Sequence, residues 1–120
     1  MRTLAREGPA VPLPETDLHR IHLWARERVP EHLWPELKVE AEVADRHVDI
    51  VEVRPNWTGK GDPIRFPIAR LRYTKSSGQR SIYWRDRHLK FHECKRKRPS
   101  KNIQSLLDYS EKSGDPIFWG

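Results

Sequence analysis

Five short runs in which polar and apolar residues alternate follow one another between Lys38 and Lys95, and no gap between them is long enough for a crossover helix. Parallel neighbours need a dozen or more linking residues, so these runs can pair only as an antiparallel, meander-like sheet. The first, 38–43, reads KVEAEV and keeps one face in water. The second, 47–54, carries Val48 and Ile50 on one parity and Val51 and Val53 on the other, so either a bulge intervenes or both faces are covered.

The third run, 65–75, sets Leu71 and Tyr73 against Arg70, Arg72 and Thr74, with Pro67 placing its start at an edge or outside the ladder. Ser76, Ser77 and Gly78 fit a tight hairpin with Gly78 left-handed. The fourth run, 79–85, alternates Ile82 and Trp84 with Ser81 and Tyr83. Asp86 and Arg87 turn the chain into the fifth, 88–95, where Leu89 and Phe91 oppose Lys90 and His92.

Helices flank the strands. Leu18, Ile21, Ala25 and Val29 repeat at helical spacing, with Thr16 or Asp17 as the cap and Pro30 as the stop. Ile103, Leu106 and Leu107 mark a second helix capped by Ser100 and ended by Gly114 and Pro116. The last residues, Ile117 to Trp119, are too apolar for a free tail and are expected to dock on the sheet. The fold class is therefore α+β: an N-terminal helix, a five-stranded antiparallel meander-like sheet, and a C-terminal helix packed on it.

A chain of 120 residues suits one domain, here 15–120, behind a flexible Pro-rich arm at 1–14. No apolar run approaches the roughly 20 residues needed to cross a bilayer, and the N-terminus lacks a secretory signal pattern, so a cytoplasmic protein without a membrane partner is expected. The one cysteine, Cys94, leaves no intramolecular disulfide to stabilise the fold.

Charge is unevenly distributed. Residues 64–98 carry twelve Lys and Arg against Asp86 and Glu93, a local net of +10, whereas residues 1–63 carry nine against twelve acids. Basic residues interleaved with rings suit nucleic acid, which needs cations for phosphate and flat faces for bases. The expected nucleic-acid contacts are Arg70, Arg72, Arg80, Tyr83, Arg85, Arg87 and Lys90, with Lys95, Arg96, Lys97 and Arg98 as a basic cluster before the second helix. Tyr73, Trp84, His88 and His92 are further candidate rings. Parity restricts this set, because Tyr73 falls on the opposite face from Arg70 and Arg72, whereas Tyr83 shares a face with Arg85. The plainer alternative is a solvated basic face whose rings belong to the core.

The strings RIHLWARERVP (20–30), RHVDIVEVRP (46–55), FPIARLRYTK (66–75), YWRDRHLKFH (83–92) and DPIFWG (115–120) together resemble a family of small bacterial proteins, common in actinobacteria and known only as a domain of unknown function. The resemblance covers about residues 19–120 and implies no activity, cofactor or catalytic residue. The run KRKRPSKN (95–102) departs from the family pattern.

Other chemistries have weaker support. His88, His92 and Cys94, with His47 or Asp49, could supply zinc ligands, but the paired short spacings of zinc sites are missing. Asp49 or Glu52 with Glu93 and Lys95 faintly resembles the carboxylates and Glu-x-Lys of a metal-dependent nuclease. No metal or other cofactor is expected, and a non-catalytic, non-specific nucleic-acid-binding module is favoured over an enzyme. The alternative is a protein-interaction module or homodimer built on the aromatic C-terminus and the Trp-bearing segments.

Overall fold

The computed structural model of the chain describes residues 10–112 and 116–119. A two-residue strand β1 (Ala10–Val11) precedes helix α1 (Glu15–Glu27) and a 3-10 turn (Glu31–Leu33). Strands β2 (Lys38–Val43), β3 (Val48–Arg54), β4 (Ile64–Thr74), β5 (Gln79–Arg85) and β6 (Phe91–Glu93) follow, then helix α2 (Ile103–Lys112) and a short helix α3 (Pro116–Trp119). Strands β2 to β6 hydrogen-bond in chain order, each antiparallel to the next, so the meander and the α+β class are as the spacing predicts.

Both helices cover one face of the sheet. Ile21, Trp24 and Ala25 of α1 and Ile103, Leu106 and Leu107 of α2 close over Val39, Val48, Ile50, Ala69, Leu71 and Ile82. Phe118 of α3 is buried in the same core, edge-on to Tyr109 with ring centroids 6.2 Å apart. Ile117 packs against this core too, so these two residues dock as their composition predicts.

Residues 10–14 depart from the mobile-arm expectation. The β3–β4 ladder stops at Val48 opposite Leu71, leaving the edge of β4 open beyond it, and β1 fills the gap by pairing Val11 with Tyr73 and Ala10 with Thr74. Leu13 is buried in the core. Residues 1–9 lie outside the described part of the chain.

The mixed parity of β3 comes from cover on both of its faces, and the bulge lies in its neighbour β4. Across from the step between Ile50 and Val51, β4 carries an extra residue, Ile68, so that Ala69 opposes Ile50 and Pro67 opposes Val51. Val51 and Val53 face away from the helices yet are buried. Their register partners are Glu40 and Lys38 on β2 and Pro67 and Arg65 on β4. Pro67 does not lie outside the ladder; it sits beside the bulge, before pairing with β5 begins at Ala69, where no N–H is required on that side.

Caps and turns differ in detail from the sequence expectation. No side-chain cap closes the start of α1, which begins after Pro14. Asp17 is instead turned inward to Arg80. Asn102, rather than Ser100, serves α2: its Oδ1 accepts the amide of Gln104 at 2.9 Å, while Ser100 Oγ accepts the amide of Asn102 at 3.0 Å. Helix α2 ends at Lys112, and Gly114 lies outside the described residues. Gly78 is left-handed (φ 72°), as the hairpin requires.

The last hairpin is longer than its sequence suggests. Asp86 Oδ1 accepts the amides of His88 at 2.7 Å and Lys90 at 3.0 Å, holding residues 86–90 as a turn with Leu89 left-handed (φ 68°). Strand β6 is thus reduced to three residues, and Leu89 is exposed rather than packed.

Candidate nucleic-acid interface

Strand alternation divides the predicted contact residues between two faces. Arg70, Arg72, Tyr83 and Arg85 point away from the helices, with Arg70 opposite Tyr83 and Arg85 opposite Phe91. This open face brings cations and rings together. Tyr73 and Trp84 lie on the other face, packed against the core, and His92 pairs with Trp84 there, ring centroids 5.0 Å apart. His88 is in the exposed turn.

Arg80 is also on the helix side. Its Nε donates to Asp17 Oδ2 at 2.7 Å, its Nη1 to the carbonyls of Gly78 at 2.8 Å and Lys101 at 3.1 Å, and its guanidinium lies 4.5 Å from the centre of the Tyr73 ring. Both charged side chains are nearly enclosed, 13% and 9% exposed. With these partners Arg80 joins α1, β5 and the segment leading to α2, and is not presented to a ligand.

Arg70 is on the open face but is not a free charge. Its Nε and Nη2 bond both oxygens of Asp49, at 2.7 and 3.0 Å, and its guanidinium lies 4.0 Å from the centre of the Phe91 ring. A two-pronged pair of this kind fixes the guanidinium plane. Arg72 lies 5.4 Å from the centre of the Tyr83 ring and its Nη1 donates to Tyr83 Oη at 3.4 Å. Farther along the same face Arg65 is held by Glu40, at 2.7 Å, and by Glu42. The bond from Lys38 and then that from Arg65 lower the Glu40 pKa, while the bonds to Glu40 and Glu42 raise that of Arg65.

A hollow of about 330 Å³ opens on this face, lined by Arg46, His47, Arg70, Arg72, Tyr83 and Phe91. Arg46 and His47 reach it from the β2–β3 turn, Arg70 and Arg72 from β4, Tyr83 from β5 and Phe91 from β6. His47 Nε2 is 3.8 Å from Asp49. Burial pushes the imidazole pKa below its ordinary value; Asp49 pulls it up, and Arg70 and Arg72 push it down. With Arg70 neutralised by Asp49 and His47 uncharged, Arg46 and Arg72 carry the unbalanced charge of the hollow.

Four of these residues, Arg46, His47, Asp49 and Phe91, were not among the expected contacts. The parity of Asp49, between Val48 and Ile50 and in step with the open-face arginines across the ladder, was the available signal. Phe91 was hidden by the short β6, which puts it beneath Arg70 rather than in the core.

Arg87 and Lys90 are exposed in the β5–β6 turn, and Lys95, Arg96, Lys97 and Arg98 follow β6 along the sheet edge; none of them lines the hollow. Lys95 lies 3.7 Å from Glu93. The alternative chemistries are not assembled: Cys94 is buried in the core, and His92 is bonded to Asp86 at 2.6 Å. Asp49 and Glu52 fall on opposite faces of β3. Among the described residues no group of three His, Cys, Asp or Glu side chains is placed to hold a metal ion. Nor is any helix among them long and apolar enough to cross a membrane.

Comparison with curated proteins and with solved structures finds no match. The family model described as Domain of unknown function (DUF3024) matches residues 9–120, which takes in all five strings that carry the resemblance and the whole of the hollow. The chain belongs to the DUF3024 family.

Proposed function

We propose that the protein is a non-catalytic module that binds single-stranded nucleic acid across the open face of its sheet. The observation that carries this reading is the shared face: Arg72 and Arg85 stand with Tyr83 and Phe91, and Arg46 borders them. Single strands are held by cations that follow the phosphates and by flat groups on which bases stack, and an arginine plane held over a ring serves as such a group. The Arg70 guanidinium, fixed by Asp49 above Phe91, is one.

Three cations engaging phosphate give a slope of log affinity against log salt of roughly −2 for a single strand, at about −0.7 per contact. Fluorescence anisotropy with labelled single-stranded RNA and DNA should show this slope, and Arg72→Ala should flatten it by about 0.7. Binding that is absent, or insensitive to salt, rules the reading out.

A second reading, a protein contact or homodimer, is favoured by Trp57 rather than by the C-terminus. Trp57 is 87% exposed on the β3–β4 loop, next to Asn56, whose Oδ1 accepts the amide of Thr58 at 3.0 Å. A large exposed aromatic on a braced loop suits a partner surface. Light scattering that finds a monomer at all concentrations, with Trp57→Ala unchanged, excludes self-association.

A further inference from the structure

The hollow is a concave part of the open face, and its charges do not cancel. Arg46, Arg70 and Arg72 face Asp49, leaving two positive charges while His47 is neutral and three when it is protonated. A phosphodiester carries one negative charge, and a phosphomonoester carries about −1.5 to −2 at neutral pH. The monoester therefore matches the hollow, and the diester leaves one charge over. At about 330 Å³ the space is at the small end of ligand sites, which run from roughly 300 to 1,000 Å³. It suits one nucleotide rather than a dinucleotide cofactor. The cations Arg46 and Arg72 border it along with the Tyr83 ring and the Arg70–Phe91 stack, so phosphate and base have separate partners within it.

We infer that this hollow is a nucleoside monophosphate site, holding a phosphomonoester between Arg46 and Arg72 with the base against Tyr83 and the Arg70–Phe91 stack. The ligand is a free mononucleotide or the phosphorylated 5′ end of a strand, and the inference rests on the nucleic-acid reading of the open face. His47 is the group that responds. It faces Arg46 on its own turn, Asp49 on β3, Arg70 and Arg72 on β4 and Tyr83 on β5; Glu93 of β6, opposite Tyr83, is engaged with Lys95. Burial first, and then Arg70 and Arg72, lower the imidazole pKa; a bound dianion offsets the two arginines and so raises it.

The test is titration of the full chain with AMP, 3′,5′-cyclic AMP and adenosine, followed by calorimetry and by NMR of the His47 ring. AMP should bind at least tenfold more tightly than the cyclic diester or the nucleoside, and should move the His47 titration to higher pH. Arg72→Ala, and Arg46→Ala in the exposed turn where folding is not at stake, should each weaken AMP about tenfold, the loss of one charge-assisted contact. A 5′-phosphorylated strand that binds more tightly than its 5′-hydroxyl form makes the strand end the ligand; equal binding of the two makes it the free mononucleotide. AMP binding no tighter than that of the cyclic diester, or unchanged in both arginine variants, overturns the inference. Salt-sensitive oligonucleotide binding without AMP binding overturns it and leaves the open-face reading intact, whereas loss of both overturns both.

Discussion

Replacing Asp17 by Asn removes one charge and almost no volume, which isolates what the buried pair with Arg80 contributes. In the folded protein the carboxylate and guanidinium are 9% and 13% exposed and 2.7 Å apart. Breaking a buried pair by neutralising one partner costs about 3–5 kcal/mol, because the other charge stays desolvated. Arg80 keeps the carbonyls of Gly78 and Lys101 and the face of Tyr73, so the cost belongs at the low end, about 3 kcal/mol. For a domain of this size each kcal/mol moves the midpoint by about 4 °C, giving a fall of about 12 °C in thermal melting followed by circular dichroism. The exposed pair of Arg65 with Glu42, 40% and 44% exposed, is the internal control, and Glu42→Gln should cost less than about 1 kcal/mol. The double replacement Asp17→Leu with Arg80→Met should recover most of the loss, since an apolar pair leaves no stranded charge. A fall of less than about 4 °C for Asp17→Asn would refute the claim that Arg80 depends on this carboxylate.

Three further outcomes can be checked on the same protein. Asn102→Ala should destabilise by about 1 kcal/mol in urea unfolding, the usual value of a helix cap, and Ser100→Ala by less; the reverse order would return the cap to Ser100. Leu89→Gly should stabilise slightly, by about 0.5 kcal/mol: the left-handed backbone costs a non-glycine residue about 1–2 kcal/mol, and glycine gives back part of that in chain entropy. A lower melting point for Leu89→Gly would show that the exposed Leu89 side chain has a contact of its own. The Asp86 carboxyl is held down to about 2, first by its bond from His92 and then by the amides of Lys90 and His88. Because its value is lowered on folding, the cap is complete above about pH 4 and is lost as pH falls through about 2. The amide signals of His88 and Lys90 should therefore titrate near pH 2, and a midpoint at the ordinary 3.8 would contradict the bond geometry.

The strand order was legible because short gaps leave an antiparallel chain no other route, and the alternation in 65–75 and 79–85 separates Tyr73 from Arg70 and Arg72 as the register does. What could not be read was pairing across long separations. Arg65, Arg70 and Arg80 count toward a local charge of +10 in the sequence, yet their partners Glu40, Glu42, Asp49 and Asp17 all come from the acidic part of the chain. Once strands bring these together, the free cations of the face are far fewer than the composition of 64–98 suggests. Single-residue events were equally hidden. The extra residue at Ile68 and the left-handed Leu89 carry no glycine to announce them, and one of the two shortened β6 enough to turn Phe91 from a presumed core residue into the support for Arg70.

The exposed loop at residues 55–63 is the seam between an acidic stretch, −3 over residues 1–63, and a basic one, +9 over residues 64–120. A nick in that loop would leave every strand whole and divide the molecule into two pieces of opposite charge. Each piece alone would present a bare strand edge, β3 on one and β4 on the other, and each would carry the counter-ions the other lacks. The two should find each other in solution, faster at low salt, as attracting partners do. Much of the chain's basicity is thus an address written for its own first half.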